Sequence, residues 1–216
     1  MKKLEQALSR ILGEEIEVSA SGRTDAGTHA KMQVVSFHCR SEMPCDQLLA
    51  QLQRYLPEDI GVYSCRNASA RFHARLNAKE KTYCYRVWNS DAPCVFERKY
   101  VYQDGRKLDV EKMSAAAQLF VGQHDFSAFC ANKHFKKSTV RTIFSIEIRQ
   151  DGPCIWFVIN GNGFLHNMVR ILVGTLVEVG LDQRTPESLQ LLFGAERAAA
   201  GFCMAPQGLC LMEVEY

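Results

Sequence analysis

The spacing of apolar and polar residues predicts that residues 1–78 mix helices with short strands. Apolar positions recur at helical spacing near the start of the chain, which predicts an amphipathic helix ending near Gly13. A second apolar face follows Pro44, a residue type that readily occupies the first turn of a helix, and stops before Pro57. Alternation predicts a strand at residues 15–20, β-branched and aromatic residues predict a second at 32–38, and a third is predicted at 60–66. The predicted order is therefore α-β-β-α-β.

Residues 79–216 show the same mixture in longer elements. Asp109 is a favourable N-cap for a helix, and Asp151-Gly152 is typical of a hairpin turn. Residues 164–179 are apolar nearly all round, which indicates a buried helix, and Thr185-Pro186 predicts the start of a shorter one. Strands are predicted at residues 82–88, 140–148, 154–160 and 209–215. The second of these strands presents one apolar face made of Val140, Thr142, Phe144, Ile146 and Ile148.

The order of these elements predicts an α+β fold built from two similar lobes. Residues 79–216 run β-α-β-β-α-(α)-β, which is the split βαβ pattern. Residues 1–78 run through the same series without its opening strand, so an internal duplication explains both halves. We therefore expect two ferredoxin-like split βαβ lobes, residues 1–78 and residues 79–216, whose antiparallel sheets flank a central cleft.

Composition is that of an ordinary globular protein, with 47% hydrophobic and 23% charged residues. The net charge of +2 indicates no particular partner, so a nucleic-acid site has to come from local clustering. One basic cluster contains Arg71, His73, Arg75, Lys79, Lys81 and Arg86, and a second contains Lys133, His134, Lys136, Lys137 and Arg141. A single cluster is usually a solvated face, but two of them favour a groove for a polyanion.

The cysteines indicate a reducing compartment. There are nine, an odd number, and none is arranged as Cys-x-x-Cys, so neither a zinc site nor a disulfide framework is predicted. No uninterrupted apolar run approaches the length that spans a membrane, and acidic residues near the start argue against a targeting peptide. We expect a cytoplasmic protein that binds neither membrane nor metal.

The candidate chemistry begins in the loop Gly22 to Ala30, which places Arg23 and Asp25 two residues apart between predicted strands. Taken alone, the loop can equally be a tight turn, since glycine, threonine and aspartate are all turn formers. A second observation changes this balance. Arg170 lies on the largely apolar predicted helix, where its guanidinium needs a carboxylate or a phosphate.

Asp25 is a natural partner for Arg170, although a purely structural salt bridge is also possible. His166 lies four residues before Arg170 and shares its helical face. A neighbouring arginine orients a carboxylate and favours its ionised form. Such a carboxylate suits a nucleophile or a group that stabilises developing positive charge, and it is a poor general acid.

Aromatic residues beside the first basic cluster suggest a surface for bases. Tyr83 and Tyr85 share one face of a predicted strand, where we expect one of them in the core and the other exposed as a stacking platform. The run Phe72-His73-Ala74-Arg75 adds a further alternation of aromatic and basic side chains, which makes His73 and Arg75 candidates for substrate binding.

Four motifs together resemble the tRNA pseudouridine synthase A family, in the family's order and over essentially the whole chain. The motifs are Gly22 to Ala30, Phe72-His73-Ala74-Arg75, Lys81-Thr82-Tyr83-Cys84-Tyr85 and Phe164-Leu165-His166-Asn167-Met168-Val169-Arg170, followed by a similar last strand at residues 208–214. The resemblance implies the pseudouridine synthase fold and a homodimer. It also implies isomerisation, without a cofactor, of uridines at positions 38–40 in the anticodon stem-loop of tRNA.

The resemblance also implies roles for individual residues. Asp25 would be the catalytic carboxylate, attacking either the base or the sugar during C–N cleavage, and Arg170 would pair with it. Tyr83 would stack on the target base, and Arg23 would help to hold the nucleotide out of its stack. A base has to leave its helix before its glycosidic bond can be broken, and a basic groove would bind the phosphates.

Two departures from the family pattern stand out. Relatives usually open with a strand and loop that this chain lacks, so we expect an N-terminally shortened form with lowered stability and activity, and Thr28 stands where many relatives carry valine. Two other functions stay open. The chain could be an inactive RNA-binding or assembly module of the same fold, or a small-molecule hydrolase with Asp25 as nucleophile, which lacks a second acid or base near the motif.

Overall fold

The computed structural model describes residues 1–132 and 134–216, so Lys133 of the second basic cluster lies outside the described residues. By their contacts the described residues form two compact units. Unit 1 comprises residues 1–22 and 34–77, and unit 2 comprises residues 23–33 and 78–216. The segment that carries Asp25, placed in the first lobe by the sequence, therefore belongs to unit 2. The division into two lobes stays a prediction.

The principal elements follow one another in this order: α1 (Lys2–Leu12), β1 (Ser19–Ala20), β2 (His29–Ala30), β3 (Val35–Ser36), α2 (Cys45–Tyr55), β4 (Glu80–Trp88), β5 (Tyr102–Gln103), α3 (Val110–Ala117), β6 (Gly122–Asp125), β7 (Val140–Asp151), β8 (Cys154–Gly161), α4 (Met168–Gly180) and β9 (Leu209–Glu215). Short 3-10 helices at Gln118–Phe120, Ser127–Phe129, Pro186–Leu192, Arg197–Ala199 and Pro206–Gly208 complete the chain. The class is α+β, as expected.

Unit 1 is two helices over a minimal strand pair. Helix α1 ends at Gly13, which adopts a positive φ of 73°, and α2 follows Pro44, so both helices agree with the sequence pattern. Strands β1 and β3 pair over two residues each. The core of the unit is small and consists of Ala7, Leu8, Ile16, Val18, Leu48 and Leu52.

The third strand predicted for this region is wrong, because residues 60–66 form no strand. Tyr63 is 78% exposed, whereas Val62 and Cys65 pack against the core of unit 1. The side-chain amide of Gln53 donates to the carbonyl oxygen of Val62 at 3.2 Å. Single apolar side chains therefore pack against the core here without forming a strand, and residues 60–66 have no neighbouring strand to supply a ladder. The strands predicted at residues 15–20 and 32–38 shorten to β1 and β3 for the same reason.

Unit 2 is organised around a seven-stranded sheet in the order β2-β9-β4-β8-β7-β6, with β5 beside the end of β4. The four long strands β9, β4, β8 and β7 are antiparallel. The short strands β2 and β5 pair in parallel with β9 and β4, so the expectation of a purely antiparallel sheet is wrong. Two-residue strands can join in either direction, and sequence alternation does not encode which.

Helices α3 and α4 pack on one face of this sheet. The core between them contains Tyr85, Phe120, Phe157 and Ile159, all fully buried. Helix α4 is buried on nearly every side, as its sequence predicts, although it begins at Met168 rather than at residue 164. Asp109 caps α3 as expected, because its carboxylate accepts from the backbone N–H of Lys112 at 3.0 Å.

Strand β7 departs from its predicted face. A β-bulge leaves Phe144 as an extra residue, since Ile143 lies opposite Gly161 and Ser145 lies opposite the adjacent Asn160. Phe144 is consequently 46% exposed, whereas Ile143 is buried. The bulge therefore interrupts the single apolar face predicted from residue 140 onwards.

None of the helices in the described part of the chain has both the length and the apolar character needed to cross a bilayer.

Candidate active site

The loop that carries Asp25 is fixed by its own turn and by the sheet of unit 2. The carbonyl oxygen of Asp25 accepts from the backbone N–H of Thr28 at 3.1 Å. Gly27 adopts a φ of 82°, and a Cβ there would lie 3.1 Å from Cγ of Pro206, so the turn requires glycine. Strand β2 then pairs with β9, and Lys31 N–H donates to the carbonyl oxygen of Leu211 at 2.8 Å. The downstream side of the loop is thereby anchored.

Arg170 holds the carboxylate of Asp25 from the first turn of α4. Its Nη1 donates to Oδ2 of Asp25 at 2.9 Å and to Oδ1 of Asn167 at 3.0 Å. Its Nε donates to the carbonyl oxygen of Met204 at 2.6 Å. The arginine side chain is only 13% exposed. These bonds orient the guanidinium, which in turn orients the carboxylate through a charge-assisted hydrogen bond. Asp25 is the partner that the sequence suggests for Arg170.

His166, which the sequence analysis noted only for its spacing from Arg170, is a second titratable side chain beside Asp25. Its Nε2 lies 3.4 Å from Oδ1 of Asp25, the carboxylate oxygen that Arg170 does not bind. His166 precedes α4 and is therefore not one helical turn from Arg170 on the same helix, although both side chains reach Asp25. The objection that no second acid or base lies near the motif is consequently wrong. The four-residue spacing was the available signal.

These side chains border an open pocket of about 660 Å³. Its lining residues are Arg23, Thr24, Asp25, Ala131, Asn132, His134 and His166, all in unit 2. Asp25 is 27% exposed and His166 is 54% exposed, so both can meet a ligand that enters. The pocket combines one oriented carboxylate, an arginine and two imidazoles, a set suited to an uncharged polar group next to an anion.

Tyr83 and Tyr85 are both buried, so the expectation that one ring is exposed is wrong. Tyr85 has no exposed surface, and its hydroxyl donates to the carbonyl oxygen of Ala205 at 2.7 Å. Tyr83 is 7% exposed and packs edge-on against Phe164, with 5.2 Å between ring centroids. Burial, followed by the negative charge of Asp25, raises the pKa of Tyr83 to about 12. Its phenol is therefore neutral near pH 7.

The remaining candidates divide between the two units. Arg23 is exposed and lines the pocket beside Asp25. His73 and Arg75 belong to unit 1, where Nδ1 of His73 accepts from the backbone N–H of Arg75 at 3.1 Å. Lys136 and Lys137 are exposed and follow the pocket residue His134. Among the described residues, no group of histidine, cysteine and acidic side chains is arranged to hold a metal ion.

Comparison with known proteins adds an independent finding. A family model described as tRNA pseudouridine synthase matches residues 116–216. The whole chain is 41% identical to tRNA pseudouridine synthase A 2 of Clostridium perfringens, covering 88% of that protein. Two further relatives, tRNA pseudouridine synthase A of Bacillus sp. strain KSM-64 and tRNA pseudouridine synthase A 1 of Clostridium tetani, are 45% and 43% identical, each over 99% of this chain and 88% of its own length.

Proposed function

Because the chain belongs to the tRNA pseudouridine synthase A family, we propose that it converts uridine to pseudouridine in the anticodon stem-loop of tRNA with Asp25 as the catalytic carboxylate. The chain is an isomerase that acts on uridine in tRNA. The observation that carries the finer proposal is the contact between Arg170 Nη1 and Asp25 Oδ2 at 2.9 Å, at the edge of an open pocket.

The geometry of this contact suits a nucleophile. Arg170 binds one oxygen of the carboxylate and leaves the second, Oδ1, on the side of His166. Asp25 forms a bond to the base or to the sugar, the C1′–N1 bond breaks, and the uracil is joined again through C5. Arg170 keeps the carboxylate in one orientation throughout, which is the contribution of a pre-organised charge partner.

Arg23 and Tyr83 are the proposed contacts for the target nucleotide. The nucleotide has to leave its stack to expose the glycosidic bond. Arg23 is exposed at the pocket, and its side chain would fill the gap that the nucleotide leaves in the RNA stack. Tyr83 would meet the uracil ring with the small part of its surface that stays accessible.

The phosphates of the tRNA are the proposed partners of the basic clusters. Lys136 and Lys137 are exposed on the segment that supplies His134 to the pocket. His73 and Arg75 would provide further contacts from unit 1. Such contacts fix the position of a nucleic acid and make its affinity depend on salt.

Three further statements belong to this proposal. The strand order β9-β4-β8-β7, with α3 between β4 and β7 along the chain and α4 between β8 and β9, supports a ferredoxin-like lobe in unit 2. The family resemblance supports a homodimer, which light scattering would measure. The nine free cysteines accord with a reducing cytoplasm, the compartment that we propose.

Hydrogen release from C5 tests the proposal. Unmodified tRNA transcripts that carry 5-tritiated uridine release tritium to water only if the C5–H bond is replaced. We expect release by the wild-type protein and none by Asp25→Asn, which keeps the size of the side chain but not its charge. The control is Asp151→Asn, at the exposed end of β7 next to the hairpin turn.

The outcomes separate the open alternatives. Both Asp25→Asn and Asp151→Asn should still bind tRNA, and Asp151→Asn should release tritium at the wild-type rate. Binding without any release by the wild-type protein would leave an RNA-binding module instead. Release by Asp25→Asn within about tenfold of wild type, a loss of only about 1.4 kcal/mol of transition-state stabilisation, would remove Asp25 from the central role.

A further inference from the structure

We propose that His166 removes the C5 proton of the re-attached uracil, an inference that rests on the function proposed above. The geometry behind it is the 3.4 Å contact between Nε2 of His166 and Oδ1 of Asp25. This is the oxygen that Arg170 leaves free, so the imidazole lies beside the nucleophilic edge of the carboxylate. Any atom that has just been bonded to Asp25 is therefore close to His166.

Isomerisation requires such a base, wherever Asp25 has attacked. Once the C1′–C5 bond has formed, C5 carries both the sugar and its original hydrogen. The C5–H bond then breaks, its electron pair restores the C5–C6 double bond, and the proton passes to the base. If Asp25 has attacked the sugar, the N1=C6 π pair moves to N1 as this double bond forms. If Asp25 has attacked C6 of the base, the C6–O bond breaks and the carboxylate leaves. N1, released from the sugar, gains one proton from solvent. One proton leaves and one enters, so the step needs neither an oxidant nor a reductant.

The other groups in the site suit this step less well. Arg23 and Arg170 are cations, and Tyr83 is buried with its pKa raised to about 12, so its phenol keeps its proton near pH 7. Asp25 is engaged in the covalent bond or has just been displaced from it. Of the two described imidazoles that line the pocket, His134 and His166, only His166 contacts Asp25. An imidazole is the side chain best matched to proton transfer near neutral pH.

The setting of His166 combines a fixed backbone with an accessible ring. Its carbonyl oxygen accepts from the backbone N–H of Ala131 at 3.0 Å, which ties the loop to another segment that lines the pocket. The side chain itself is 54% exposed. A proton taken from C5 can therefore pass from the ring to water before the next turnover, which accounts for release of this hydrogen to solvent.

A deuterium isotope effect tests the inference. Wild-type protein, His166→Ala and His166→Gln are compared on tRNA transcripts made with ordinary or 5-deuterated uridine, under single-turnover conditions. The control is His38→Ala, an exposed histidine of unit 1. We expect both His166 variants to bind tRNA as the wild type does and to react about 10²-fold more slowly. The isotope effect of both His166 variants should rise, because C5–H cleavage becomes rate-limiting. Added imidazole should restore part of the rate of His166→Ala.

Each contrary result has a distinct meaning. A wild-type rate in His166→Gln overturns the inference. A slowed reaction with the isotope effect of the wild type, and no response to imidazole, also overturns it, because His166 then only positions Asp25. If the wild-type protein releases no C5 hydrogen, the proposed function itself is wrong. If the wild-type protein is active and its His166 variants are equally active, only the inference about His166 is wrong.

Discussion

The two units of the chain differ in how firmly they hold their side chains. Unit 1 has one described strand pair of two residues per strand and a core of six buried side chains. Unit 2 has a seven-stranded sheet and a core that includes several fully buried aromatic rings. Asp25, Arg170 and His166 all belong to unit 2. Chemistry that depends on positions within fractions of an ångström is located where ladder bonds and dense packing restrict movement.

Among the variants that compare the two units, those of Arg170 have the largest expected effect, and they test whether unit 2 does the chemistry. Arg170→Ala removes the group that orients Asp25, so we expect the single-turnover rate of pseudouridine formation to fall by about 10²-fold or more. Arg170→Lys keeps the charge but cannot bind Asp25, Asn167 and the carbonyl of Met204 together. Compared with Arg170→Ala, Arg170→Lys should recover more of the wild-type melting temperature than of the wild-type rate. Equal recovery of both would make Arg170 a structural residue.

Core truncations test the difference in stability directly. Leu8 in unit 1 and Leu172 in unit 2 are both buried, and replacing either by Ala should lower the free energy of unfolding by about 2–5 kcal/mol. Trp88 and Trp156 are the only tryptophans and both belong to unit 2, so fluorescence reports that unit alone. In urea, Leu8→Ala should shift a circular-dichroism transition and leave the fluorescence midpoint unchanged.

The matched variant Leu172→Ala should shift the fluorescence midpoint. If each variant shifts the circular-dichroism and the fluorescence midpoints by the same amount, the two units unfold together. The difference in their packing then produces no difference in their stability.

A different contrast, between local signals and contacts of distant residues, governs what the sequence predicted. Helices α1, α2 and α4 and the β7–β8 hairpin follow from local periodicity, capping and turn residues. The strand expected at residues 60–66 was wrong because a strand needs a partner, which periodicity does not supply. The exposure of Phe144 depends on a bulge, and the direction of β2 depends on β9, far along the chain.

The candidate site was also predicted where local signals sufficed and missed where distant contacts decide. Arg170 could be matched with Asp25 because a cation on an apolar helix demands an anion, and Asp25 was the best-placed carboxylate. The burial of Tyr83 could not be read from its strand pattern, since Phe164, which covers it, lies on a distant segment. His166 was noticed for its spacing from Arg170, but its contact with Asp25 depends on the loop before α4, whose start at Met168 the sequence did not predict.

A smaller effect is expected from the basic residues, which should bind without taking part in bond breaking. Arg75→Ala in unit 1 and the double variant Lys136→Ala/Lys137→Ala in unit 2 should each weaken tRNA binding. Each lost phosphate contact should reduce the slope of log affinity against log salt by about 0.7–0.9. The rate at saturating tRNA should fall much less than the affinity. Titrations at several salt concentrations measure both slopes.

The control for these variants is Arg54→Ala, an exposed arginine of α2 outside the basic clusters. If the salt slopes of the variants and of this control are the same, the clusters are solvated faces and not part of a groove.

The smallest expected effect concerns Thr28, which belongs to unit 2. Its Oγ1 is buried and has no hydrogen-bond partner among the described residues. Thr28→Val replaces the hydroxyl by a methyl group of similar size, so we expect stability to rise by about 1 kcal/mol, the lower end of the cost of an unsatisfied buried group. That gain corresponds to about 2–4 °C in melting temperature. Thr28→Ser, which keeps the hydroxyl, should show no gain, and a lower melting temperature for Thr28→Val would show that the hydroxyl is satisfied.

The parallel pairing of β2 with β9 also constrains when the protein can begin to work. His29 lies opposite Cys210, so the turn that carries Asp25 is anchored by residues far along the chain. Contacts between distant parts of a chain form slowly, because a long loop has to close before they contribute. A growing chain on the ribosome therefore gains this anchor only after β9 has emerged. Until then the downstream side of the Asp25 turn lacks its pairing with the sheet of unit 2.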